Sequence, residues 1–159
     1  MEEISVAHRA PAFVSVLAGG LVAGTLDITY ACVFWALRAG TPPQRIFQSV
    51  AKGVLGPSTF KGGAATAALG LFLHYFIAFS AAAIYCLSSR KLPFLKDHFI
   101  VCGMFYGIAV FLVMNLVVLP LCAFHFMGPY QLRGMIQGLL MHMLIIGLPI
   151  SFSLNKLSD

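Results

Sequence analysis

Three stretches of this chain carry no Asp, Glu, Lys or Arg: between Lys61 and Arg90, from His98 to Leu132, and between Arg133 and Lys156. Each is longer than the ~20 residues an α-helix needs to cross the hydrocarbon core of a bilayer. A fourth apolar stretch, Pro11 to Leu37, is broken by one charge, Asp27, and is too long for the roughly 7–15-residue core of a signal peptide. Hydrocarbon offers backbone groups no partners, so spanning segments are helices or closed barrels, and barrel strands alternate polar with apolar residues. These stretches do not alternate. The chain therefore reads as an all-α polytopic membrane protein, a four-transmembrane-helix bundle with spans at about 11–37, 63–87, 99–126 and 131–154.

Composition agrees. Of 159 residues 60% are hydrophobic and 9% charged, against about a quarter charged in soluble domains. Four spans and their loops fill a single membrane domain over 1–159 and leave no room for a sizeable catalytic site outside the bilayer. The net charge of +5 comes from basic residues that flank the spans, where they meet lipid head groups, so the lipid bilayer is the expected partner and nucleic acid is not. Cys32, Cys86, Cys102 and Cys122 form no CxxC pair. Ser80, Ser88 and Ser89 have no identifiable acid and base, and there is no glycine-rich phosphate loop or carboxylate pair. The expectation is a non-enzymatic protein with no cofactor.

The one long loop carries a short amphipathic helix at about 42–55. Thr41 is a candidate N-cap, Pro42 and Pro43 suit a first turn, and Gly56-Pro57 stops the run. Ile46, Phe47, Val50 and Val54 share one face; Arg45, Gln48, Ser49 and Lys52 share the other. This pattern fits a helix lying in the interface with its apolar face on lipid, and equally one packed over the mouth of the bundle. Basic residues divide equally between the two sides. The compact Arg90-Lys91-Lys96 cluster in a short loop inclines the reading to both termini being cytoplasmic.

Asp27 is the most informative residue, because a charge deep in hydrocarbon costs at least ~2.5 kcal/mol and rarely faces lipid. Gly20, Ala23, Gly24 and Ala31 share its helical face, a small-residue surface suited to close packing. The other spans repeat the construction at four-residue spacing: Thr66-Gly70-His74, Gly103-Gly107-Phe111-Asn115 and Gly134-Gly138-His142. The expected packing glycines are therefore Gly20, Gly24, Gly70, Gly103, Gly107, Gly134 and Gly138. Asp27, His74, Asn115 and His142 fall at a common depth, roughly 16 Å from one surface at 1.5 Å per residue. Such a layer either locks helix register through hydrogen bonds or lines a proton, ion or ligand path.

Gly70-Leu71-Phe72-Leu73-His74 matches Gly138-Leu139-Leu140-Met141-His142, which suggests two helical hairpins. Two histidines at equal depth could hold haem or a metal. Met141 and Met143 project about 100° to either side of His142, however, and no metal is expected. Pro120 and Pro149 are candidate kinks.

The runs Leu17-Ala18-Gly19-Gly20-Leu21-Val22-Ala23-Gly24-Thr25-Leu26-Asp27, Gly53-Val54-Leu55-Gly56, Phe60-Lys61-Gly62-Gly63 and Met114-Asn115-Leu116-Val117-Val118-Leu119-Pro120 resemble a group of small uncharacterised bacterial inner-membrane proteins. More distantly, they resemble the longer YagU-type proteins. The resemblance runs from the first span to Pro120. It implies a bacterial inner-membrane location, four spans and a recurring acid at Asp27, and it carries no catalytic residues. The functional expectation is an accessory or structural subunit of a larger membrane assembly, bound to other membrane subunits or to itself. The alternative is a small oligomeric transporter or channel in which Asp27 couples proton or ion movement.

Overall fold

The computed structural model describes residues 11–125 and 131–157. Four of its helices are long and apolar enough to cross a membrane. They are α1 (Ala12–Ala39), α3 (Gly63–Lys91), α4 (Phe99–Leu121) and α5 (Leu132–Leu157), with α2 (Pro43–Leu55) between the first two. Among the described residues there is no strand, and the molecule is a four-helix transmembrane bundle. α1 stops where Gly40 takes φ 62°, a left-handed conformation open to glycine, and its N–H bonds back to the Ala36 carbonyl. α2 is followed by a 3-10 run, Gly56–Lys61.

The bundle closes through its glycines. A Cβ on Gly20 would strike the Phe79 ring of α3, and one on Gly24 would lie 3.0 Å from the Tyr75 ring. On another edge of α1, a Cβ on Gly19 would lie 3.3 Å from Ile150 Cα of α5. α4 and α5 meet backbone to backbone: a Cβ on Gly107 would lie 2.6 Å from Met143 Cα, and one on Gly147 would lie 2.7 Å from Gly107 N. Gly103 faces Ser151, and Gly138 faces the Phe111 ring. Without a hydrophobic drive between helices in lipid, this close approach is what holds spans together. Two expected packing positions differ. Gly70 seats the Phe47 carbonyl of α2 rather than another span, and Gly134 has nothing within 4 Å of its would-be Cβ.

One half of the bundle is densely filled. Toward the end that carries the chain termini, Ala82, Tyr85, Cys86, Ile150 and Leu154 are buried together, and the Tyr85 and Tyr106 rings meet edge to face at 4.9 Å. The two tyrosine hydroxyls have partners: Tyr85 donates to the Leu95 carbonyl at 2.9 Å and Tyr106 to the Ala81 carbonyl at 2.7 Å.

The amphipathic helix corrects the lipid-facing expectation. Ile46 is 8% exposed, and Val50 and Phe47 are half-buried, leaving Val54, 63% exposed, as the one of the four that projects outward. Gln48, expected on the polar face, is 3% exposed. Its side-chain nitrogen donates to the Gly63 carbonyl at 3.0 Å and the Thr66 hydroxyl at 3.1 Å. The helix is rolled down onto α3 across the bundle mouth, because apolar spacing records that a face is covered without distinguishing protein from lipid. The other end of α2 is tied to the chain after α4, where Ala123 N–H donates to the Gly53 carbonyl at 2.8 Å. That tie also explains why α4 ends at Leu121: Cys122 turns to extended backbone and the chain crosses over α2. The expected end at Phe126 lies outside the described residues.

Candidate intramembrane site

Asp27, His74, Asn115 and His142, one residue from each spanning helix, line a single cavity of about 280 Å3. Apolar side chains complete it: Ile77 from α3, Val110, Met114 and Leu119 from α4, Ile146 from α5, and Val50 from α2. Toward the termini the cavity stops at Ala81, whose carbonyl holds the Tyr106 hydroxyl. The sealed half of the bundle begins there.

The polar groups are oriented by backbone. His74 Nε2 lies 2.8 Å from the Gly24 carbonyl, joining α3 to α1 one turn before Asp27. A carbonyl only accepts, so this nitrogen carries the proton and neutral His74 has a bare Nδ1. His142 uses its other nitrogen: Nδ1 donates to the Gly138 carbonyl at 2.9 Å, which leaves Nε2 bare, and the ring rests edge-on against Phe111 at 5.3 Å. Asn115 donates from Nδ2 to the Phe111 carbonyl at 2.9 Å. No hydrogen bond or ion pair ties the Asp27 carboxylate to a described residue. The repeated Gly-x-x-x-His segments are thus only partly equivalent, since His74 bridges two helices and His142 bonds within its own.

Local helix geometry explains how α4 and α5 aim these groups. Each contains a π-helical turn, Met114–Val118 in α4 and His142–Gly147 in α5. The two are built alike. Leu119 N–H reaches back to the Met114 carbonyl and Leu148 N–H to the Met143 carbonyl, and the next residue in each helix is a proline, Pro120 or Pro149. Proline supplies no N–H to the carbonyl four residues back, and a switch to five-residue bonding accommodates the gap. Asn115 and His142 both lie in these turns.

A second recess, of about 310 Å3, lies on the loop side between α1 and α5. Its walls include Tyr30, Phe34, Trp35 and Gln137, and Arg38, Gln131 and Arg133 stand at its exposed rim. Asp27 is the one residue that lines both spaces. Just above it the Gln137 side-chain amide donates to the Tyr30 hydroxyl, linking α5 to α1. Gly134, expected to pack, lines this recess instead.

Several contributors lay outside the sequence reading. Tyr30 and Gln137 each have a signal in retrospect, a hydrogen-bonding side chain within a span and near the helical face of Asp27 or His142. Val50, expected to face lipid, lines the cavity instead, a place that depends on how α2 is seated. Among the described residues no three His, Cys, Asp or Glu side chains are grouped to hold a metal ion. Comparison with protein-family models, curated proteins and solved structures gives no match.

Proposed function

We propose that this chain is a small transporter or channel of the bacterial inner membrane, working as an oligomer, in which Asp27 binds and releases the proton or ion that moves. The observation behind this reading is the position of Asp27, shared by the loop-side recess and the inner cavity with no described partner for its carboxylate. An unpaired acid at this depth is costly in a bundle that serves only as a scaffold. The accessory-subunit alternative draws on small-residue faces open to partners, yet Gly19, Gly20, Gly24, Gly103, Gly107 and Gly147 meet atoms of this same chain. With the termini in the cytoplasm, the recess opens to the periplasm and the sealed half faces inward. Four helices are few to enclose a whole path, which is the reason for proposing an oligomer.

The test is flux in proteoliposomes under an imposed proton or sodium gradient. Asp27→Asn keeps the shape and removes the charge, and it is expected to lower flux at least tenfold while the protein stays monodisperse. Undiminished flux in that variant removes Asp27 from the mechanism.

A further inference from the structure

The functional groups around the inner cavity are unequally divided between donors and acceptors. The lining includes one carboxylate, Asp27, and no Lys or Arg; the arginines stand at the outer rim. Each histidine donates one ring N–H to a backbone carbonyl, Gly24 for His74 and Gly138 for His142. In the neutral form of each ring the other nitrogen is a lone-pair acceptor. Asn115 likewise directs an N–H to Phe111. A carboxylate and two bare ring nitrogens together call for a cationic guest with several N–H donors.

The remaining walls narrow the choice further. Ile77, Val110, Met114, Leu119 and Ile146 are apolar, whereas a bare alkali or divalent cation requires about six oxygen ligands in place of its water. Among the described residues no cluster of three metal-ligating side chains is present. The volume of about 280 Å3 can be scaled from a ~150 Å3 apolar cavity that admits benzene, which gives room for about ten non-hydrogen atoms. An ion-sized guest would leave most of that space unfilled.

We infer that the inner cavity is a binding site for a small primary organic ammonium ion, its charged group held at Asp27, with His74 and His142 as further polar groups of the lining, and its hydrocarbon body against the apolar wall of α4 and α5. This assignment rests on the transport reading above and names the class of its solute. The arginines at the rim do not oppose it. They are exposed on the loop side, where charges are screened over about 8 Å at physiological salt and lipid phosphates are at hand.

Phenethylammonium chloride is a suitable probe, with 2-phenylethanol as its uncharged counterpart. Titration calorimetry in lipid nanodiscs, with empty nanodiscs subtracted, is expected to give saturable binding of the ammonium and at least tenfold weaker binding of the alcohol. Asp27→Asn should weaken ammonium binding at least tenfold. Val110→Phe, which retains every polar group and fills the cavity, should do the same. Both variants are first checked for a single thermal transition, and His74→Phe, weakening binding severalfold, stands in where Asp27→Asn fails that check. Equal binding of alcohol and ammonium, or full ammonium binding in Val110→Phe, overturns the site. Absent ammonium binding alongside Asp27-dependent proton or sodium flux rejects the amine class and leaves the transport reading standing; absence of both rejects the two together.

Discussion

Two glycines on α5 separate packing from spacing at the scale of single residues. Gly147 lies against the backbone of α4, with the Gly103 carbonyl and Gly107 N at the position a Cβ would occupy, while Gly134 faces open space. Backbone cannot rotate aside as a side chain can, so a methyl at Gly147 forces the helices apart at a cost of about 1–3 kcal/mol or more. At Gly134 the same methyl meets nothing, and alanine is the better helix former by up to about 1 kcal/mol. Thermal unfolding in mild detergent should therefore fall by about 5 °C or more for Gly147→Ala and hold or rise slightly for Gly134→Ala. Equal shifts in the two would mean that α4 and α5 do not approach as closely as described. Sequence spacing treated these positions in reverse, naming Gly134 among the packing residues and passing over Gly147. The four-residue repeat through Gly134, Gly138 and His142 assumes a regular α-helix, and α5 ceases to be one at His142.

The π-turns carry that point to whole helices. Residues five apart on an α-helix differ by about 140° in direction (five steps of 100° less one full turn), whereas five-residue bonding brings them nearly into line. The His142 backbone faces Gly107, and Gly147 faces Gly103, so both lie on the side of α5 toward α4. Met143, four residues before Gly147, also faces Gly107, so the π-turn of α5 runs along this contact. Replacing Pro149 with alanine restores an N–H at that position and permits the turn to relax to α geometry. Pro149→Ala is expected to raise the thermal midpoint and to lower Asp27-dependent flux at least tenfold, because one half of α5 turns relative to the other and His142 leaves the cavity. Flux unchanged by Pro149→Ala would mean the alignment does not depend on the proline. The prolines were visible in the sequence as candidate kinks, but a kink and a π-turn share the same signal. Similarly, α2 was legible as a helix with a covered face, and its buried Gln48 was not, since a polar side chain satisfied by the Gly63 carbonyl and Thr66 hydroxyl looks in sequence like one facing water.

For the molecule as a whole, three charge-free runs and a fourth broken only by Asp27 located the four spans, and the cost of polar groups in lipid pointed to the four residues that line one cavity. The difference between the two halves of the bundle was not legible, because it arises from packing between helices distant in sequence. Toward the termini, Tyr85, Tyr106, Ile150 and Leu154 fill the space; toward the loops, the recess reaches down to Asp27. A bundle sealed at one end and open at the other should show that polarity to a water-soluble probe. In a variant with its four native cysteines replaced by alanine, single cysteines at Ala31 and Gly134, which line the recess, are expected to react with a membrane-impermeant thiol reagent added from the loop side. They should resist the same reagent added from the terminus side. A cysteine at Ile150, fully buried, should resist it from both. Labelling of Ala31→Cys from the terminus side would require a passage through the Tyr85–Tyr106 layer. Opening that layer breaks the hydrogen bonds to the Leu95 and Ala81 carbonyls, so on the transport reading proposed above a solute passing from Asp27 toward the terminus side would first have to displace both tyrosines.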